Sequence, residues 1–350
     1  MRYIILFLIT TMLAAGCSLS LTGGTDNDGV NGGLFKTATG GSSWHQPVLI
    51  SSTSGKPGNI ANLNVVSLVM DPSDSQAIYY GSLSNGLFYT YSGAGSWRRA
   101  IGLGQIPIGD IAVDAKNKCV IYVVSNSKVF KSEDCSRNWS EIYSDNDPRV
   151  IFTSVVVDYY DPSNVFIANT RGDIIKSSNS GQSWQTLYNF GATVKKVLIS
   201  PHDSRIMMVA TTDKGIFRSM NNGQSWVDLN QTLKEFNNSK KVRDIIASKK
   251  QAGMWLLATE YGLLQSVNNG DGWTNIELIL PERRSIINAI GMSYQNVNKI
   301  YYVTNTTFYS SIDEGVNWTS RELPTARRGW RLLVDPDDDN IVYLGVSQKP

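Results

Sequence analysis

Short runs of β-branched and aromatic residues, separated by clusters of Asp, Asn, Gly, Ser and Pro, recur along this chain from residue 34 to its end. Runs such as Ile121-Tyr122-Val123-Val124 and Ile300-Tyr301-Tyr302-Val303 read as strands. The clusters between them carry turn chemistry, as in Asp71-Pro72-Ser73-Asp74, Asp161-Pro162 and Asp335-Pro336, with a degenerate Pro201-His202-Asp203. One full unit comprises a strand at 65–70, the Asp-Pro turn, a strand at 77–83, a shorter strand at 86–90, a polar turn, and a fourth strand opened by Trp97.

The polar turn before that tryptophan is the clearest repeat. It is complete at Ser177, Asn179, Gly181 and Trp184; at Ser219, Asn221, Gly223 and Trp226; at Ser266, Asn268, Gly270 and Trp273; and at Ser311, Asp313, Gly315 and Trp318. Weaker copies end at Trp44, Trp97 and Trp139, and successive tryptophans lie 42 to 53 residues apart, the length of one four-stranded propeller blade. Asx and Gly suit a tight turn between antiparallel strands, the serine hydroxyl closes it, and the tryptophan packs between neighbouring blades. The first copy, at 34–44, lacks its first two strands, while the last two strands, at 331–334 and 341–346, lack a polar turn. Together these halves make one composite blade, in which C-terminal A and B strands join N-terminal C and D strands. Six internal blades and this one predict an all-β, seven-bladed propeller whose closure leaves no open edge.

The polar turn resembles the Asp-box, or BNR, repeat of sialidases, sortilin-type receptors, some xyloglucanases and the photosystem II stability and assembly factors. The resemblance covers residues 34–346 and is architectural. The Phe/Tyr-Arg-Ile-Pro motif that the sialidases carry is absent, and the nearest fragment, Phe217-Arg218-Ser219, belongs to a repeat strand. The xyloglucanases set paired carboxylates in a cleft between two propellers, and one propeller is read here. The assembly factors are seven-bladed, often lipid-anchored and without catalysis, and the resemblance to them implies no catalytic residue and no cofactor.

The first residues change the picture of where the propeller works. Arg2, the apolar residues Ile4 to Ile9 with Met12 and Leu13, and the small residues Ala14-Ala15-Gly16 read as a signal peptide over 1–16. Leu13-Ala14-Ala15-Gly16-Cys17 resembles the bacterial lipobox, which implies lipid attachment at Cys17 and a place in the bacterial cell envelope, outside the cytoplasm. Ser18 resembles the outer-membrane sorting class for a cell with two membranes. Residues 17–33, rich in Gly, Ser, Asn and Asp, read as a flexible tether, and 34–350 as the propeller. The remaining cysteines, Cys119 and Cys135, bracket two strands of one blade and are expected to form a disulfide in an oxidising compartment. No metal site is expected, since His45 and His202 lie far apart without a Cys or carboxylate cluster.

The formal net charge is only +2, with 18% charged residues. Sorted by loop, however, Lys and Arg dominate the rim formed by the D-to-A and B-to-C loops, and Asp and Glu the opposite rim. The plainer account is that the acidic turns serve turn chemistry and the loops need charge for solubility. The sharper one makes the basic rim a binding face. Three arginine pairs, Arg98-Arg99, Arg283-Arg284 and Arg327-Arg328, are assigned to D-to-A loops in one sector. The expected function is a non-enzymatic, lipid-anchored binding or scaffold propeller that engages a protein or an anionic surface, with no nucleic-acid partner. The alternative is a cell-surface propeller that binds or cleaves carbohydrate.

Overall fold

A computed structural model describes residues 32–51, 57–279 and 286–348. The signal peptide, Cys17, most of the tether, and Arg283 and Arg284 lie outside the described residues. Six sheets follow one another along the chain, each with strands A to D in sequence order from the axis outward. Blade 1 runs from Val65–Asp71 to Arg98–Arg99, blade 2 from Asp110–Asp114 to Ser140–Ser144, and blade 3 from Phe152–Val157 to Gln185–Asn189. Blade 4 runs from Val194–Ser200 to Val227–Asp228, blade 5 from Val242–Ala247 to Thr274–Ile276, and blade 6 from Ala289–Met292 to Thr319–Glu322.

Blade 7 is composite. Its A and B strands are Arg328–Val334 and Val342–Ser347, and Leu34–Thr37 supplies strand C, with Leu34 opposite Gly345 and Thr37 opposite Val342. The fourth strand is reduced to one bridge, in which Lys36 and His45 exchange two main-chain bonds of 2.9 Å. Two residues further on, Pro47 has no N–H with which to extend that ladder. Gly32 and Gly33, assigned to the tether, are already docked: their N–H groups donate to the carbonyls of Ala61 and Leu63.

The polar turns share one geometry. In blade 3 the Gly181 N–H donates to Ser177 Oγ (2.8 Å), the Ser177 hydroxyl donates to Asn179 Oδ1 (2.9 Å), and the Ser183 N–H donates to the same oxygen (2.9 Å). Blades 4, 5 and 6 repeat these bonds through Ser219, Ser266 and Ser311. The weaker copies keep part of the pattern with Thr37, Thr90 and Ser132 in the serine position. Two successive left-handed residues complete each turn, such as Asn222 (φ 57°) and Gly223 (φ 84°), so glycine relieves the second position. Each tryptophan then enters a different interblade core. Trp97 packs between blades 7 and 1, Trp139 between 1 and 2, Trp184 between 2 and 3, and Trp226 between 3 and 4. Trp273, Trp318 and Trp44 fill the remaining three interfaces.

The A-to-B turns explain much of the acidic rim. Asp71, Asp114, Asp158 and Asp335 are buried, and each accepts the N–H two residues on, at 2.7 to 2.9 Å. Ser200, Ser248 and Ser293 do the same with their hydroxyls in the other three blades. These four carboxylates are therefore internal caps rather than surface charge, which makes that rim less acidic at its surface than sorting by loop suggests.

Candidate functional site

The ring of inner strands surrounds a central channel, and its D-to-A mouth gathers charge. In five inner strands the register to strand B slips by one residue just after the strand begins: at Val66, Thr153, Lys195, Arg243 and Trp330. Such a bulge adds one residue to one strand and re-aims the side chains beside it. Here it places a doublet at each position, Thr153-Ser154, Lys195-Lys196, Arg243-Asp244 and Trp330-Arg331 among them. Of these eight residues all but Ser154 line, together with Asp110, a cavity of about 280 Å³.

The polar members hold the blades to one another. Asp110 accepts the Val155 N–H of the next blade (3.1 Å) and the hydroxyls of Ser67 (3.0 Å) and Ser154 (3.2 Å). Ser154 Oγ accepts the Val197 N–H (3.1 Å) one blade on. Asp244 accepts the Ile290 N–H (3.1 Å) and the Lys196 ammonium (2.8 Å), and that ammonium also donates to the Ile245 carbonyl (2.9 Å). Both channel carboxylates are thus latches with several donors each.

Cations outnumber them. The Lys195 side chain turns inward onto the Val242 carbonyl (2.7 Å), and its pKa is lowered by loss of water first and by the neighbouring Arg243 second. Arg331 is lowered as well, chiefly by burial, with Asp244 and Asp110 acting in the opposite sense. Its one hydrogen bond runs from Nη1 to the Trp330 carbonyl (3.0 Å), and no carboxylate lies within ion-pair distance among the described residues. Trp330 holds two guanidinium groups against its ring, Arg328 at 4.2 Å and Arg331 at 5.0 Å from the centroid. Arg243 reaches outward to Glu260 (2.7 Å). At the other end of the channel Lys249 donates to the Tyr159 hydroxyl (2.9 Å), and Tyr294 lies beside them.

Burial raises the Asp110 pKa above the usual carboxylate range, outweighing the hydrogen bonds from Val155, Ile111 and Ser67 and the nearby Lys196, all of which favour the charged form. A carboxyl whose folded pKa is raised binds its proton more tightly in the folded state, so its contribution to stability is lost as pH rises through that pKa. Asp110→Asn, which cannot titrate, is therefore expected to gain on the wild type as pH rises above the ordinary aspartate range. Paired denaturant midpoints check this; a gap that narrows over that rise contradicts the assignment.

The arginine pairs are placed differently from the sequence expectation. Arg98–Arg99 is itself the outer strand of blade 1, paired with Tyr89 and Phe88, and Arg328 opens the inner strand of blade 7 opposite Ser347. Neither pair sits wholly in a loop, because ladder pairing extends past the turn on both sides. Arg99 is tied to the Asn85 carbonyl (3.2 and 3.0 Å), and Arg327 to Asn62 O (3.1 Å) and Asn64 Oδ1 (3.2 Å). Arg98 remains exposed. Sequence reasoning had sorted charges by loop and passed over Lys195, Lys196, Arg243 and Arg331. A signal was present: charged or polar doublets one residue into otherwise apolar inner strands, as in Val194-Lys195-Lys196-Val197.

Solved structures share the architecture. The GH74 xyloglucanase from Xanthomonas campestris matches with a TM-score of 0.66 at 14% identity, over 81% of this chain and 51% of that one. YCF48 from Cyanidioschyzon merolae matches with a TM-score of 0.61 at 12% identity, over 81% and 95% of the two chains. YCF48 bound to D1 peptide gives 0.64 at 12% identity, over 87% and 96%. The chain thus spans about half the length of the xyloglucanase and nearly all of YCF48, and at such identities the likeness is one of fold. No curated protein matches the sequence. Residues 96–349 match the family described as DUF6242 beta propeller domain.

Proposed function

We propose, from the premise that this chain belongs to the DUF6242 beta propeller domain family, that it is a non-catalytic binding propeller which docks a protein partner on its D-to-A face. The observation that carries this reading is the excess of cations at the channel mouth: its two carboxylates are held by main-chain amides, hydroxyls and the Lys196 ammonium, while Arg331 and Lys195 have no carboxylate within ion-pair distance among the described residues. Exposed Arg98, Lys234 and Lys240 extend the positive field over the same face. A peptide-bound state of YCF48, a propeller of similar extent, supports a protein as the partner. The Asp-box character of the turns and lipid attachment at Cys17 belong to the same proposal, with the anchored domain held outside the cytoplasm at the end of the tether.

The test is crosslinking in intact membranes followed by recovery of the propeller. Reversing Arg98, Lys234 and Lys240 to glutamate is expected to leave the melting temperature within about 2 °C, since these are exposed positions. Recovery of the wild-type partner should fall at least tenfold, and Cys17→Ala should move the protein to the soluble fraction. Unchanged partner recovery at the same ionic strength overturns the docking face, and a Cys17→Ala protein that stays in the membrane overturns the anchor.

A further inference from the structure

We propose that the central channel is a binding site for a small organic carboxylate, whose head group is held at the mouth by Arg331 and Lys195 and whose apolar body enters the channel. This goes beyond the docking of a partner and does not depend on it. The mouth cavity of about 280 Å³ continues past Ile246, Ile290 and Leu332 into a second of about 170 Å³, and those three residues line both. The volume suits a compact ligand rather than a chain. Its upper wall carries four cations, Lys195, Lys196, Arg243 and Arg331, against the two carboxylates Asp110 and Asp244. Its lower wall is mostly apolar, with Leu198, Met292 and Val334 following below and Lys249 at the far end.

The head-group chemistry follows from what is already bonded. Lys196 is neutralised by Asp244, and Arg243 is drawn to Glu260. Arg331 keeps a planar fork of N–H groups of which one is bonded, and Trp330 and its own main chain limit where that fork can swing. A guanidinium of this kind matches a carboxylate in two parallel bonds, and the partly desolvated setting strengthens them. Loss of water also weighs on the Lys195 charge, so an anion arriving there relieves two cations at once. The apolar residues beneath the head group, Ile246, Ile290 and Leu332, favour an alkyl body over a fully hydrated anion such as phosphate, which would leave them unfilled.

Calorimetric titration of the full chain with hexanoate, acetate, hexylammonium and inorganic phosphate tests the site. Hexanoate is expected to bind one per chain and at least about tenfold more tightly than acetate, because the added methylenes are buried. Hexylammonium should not bind. Arg331→Gln should weaken hexanoate at least about tenfold, and Lys195→Gln, at the more exposed edge of the mouth, provides a second reading should Arg331→Gln fail to fold. Acetate or phosphate binding as tightly as hexanoate overturns the apolar body, equal binding of hexylammonium overturns the cationic head site, and affinity unchanged in the folded variants overturns the proposal as a whole. The Arg98, Lys234 and Lys240 reversal removes field but no contact, so it should weaken hexanoate less than Arg331→Gln does while partner recovery falls, and failure of this site and failure of partner docking are read separately.

Discussion

Replacing Trp97 with alanine is expected to lower stability by about 3–5 kcal/mol, the range for truncating a fully buried large aromatic residue. Trp97 is 0% exposed and sits where the two ends of the chain meet. Its core joins Tyr80 and Phe88 of blade 1 to Leu34 and Tyr343 of the composite blade, and Tyr80 meets its ring edge-on at 6.1 Å. The indole N–H donates to the Pro47 carbonyl (2.8 Å), and the main chain pairs with Leu49 and Ser51 beneath the small Leu49–Ile50 and Gly58–Asn59 hairpin. Alanine would leave a cavity and an orphaned carbonyl at the closure of the ring, where no covalent link replaces lost packing. Trp139 fills the corresponding place between blades 1 and 2 but is only half-buried, so Trp139→Ala should cost less. Denaturant midpoints for the two variants decide the matter: losses of equal size would mean that closure is no more dependent on its tryptophan than any other interface.

The second large effect concerns Cys119 and Cys135. They are joined in a disulfide with Cα atoms 3.9 Å apart and a sequence separation of 16, and the Cys135 N–H also donates to the Cys119 carbonyl (3.2 Å). By the loop-closure estimate a crosslink of this span removes about 3 kcal/mol of freedom from the unfolded chain. The bond stands beside the weakest polar turn. There Cys135 (φ 59°) and Ser136 (φ 69°) both adopt left-handed conformations without glycine, and the Ser136 hydroxyl is buried without a partner among the described residues. A turn that carries this strain gains most from having its ends held together. The Cys119→Ala, Cys135→Ala double variant is expected to melt about 5–10 °C lower than the oxidised wild type. A melting temperature that does not change on replacement or on reduction would show that the turn holds without its crosslink.

Much of the architecture was legible before any coordinates. Seven tryptophans at near-constant spacing, each seven residues after a Ser or Thr and in five copies five residues after an Asx, marked the blades, because the turn that sets them is a local device: one hydroxyl, in most copies an Asx side chain, and two left-handed residues within a single octet. The incomplete first and last repeats showed how the ring closes, since an unpaired strand on each side has a single completing partner. Even so, the fourth strand of that blade came out as one bridge at His45, where Pro47 ends the ladder.

The channel mouth was a different kind of object. Asp110, Lys195, Lys196, Arg243, Asp244 and Arg331 lie in four different repeats and look, one by one, like polar interruptions of apolar strands. The closed ring brings them to one place, with bulges re-aiming all but Asp110, and a bulge depends on how an inner strand registers against its neighbour. Local chemistry therefore determined the number of blades, their turns and their order. The site was decided by the closed ring, because a field made of charges contributed by separate blades exists only after those blades have packed around a common axis.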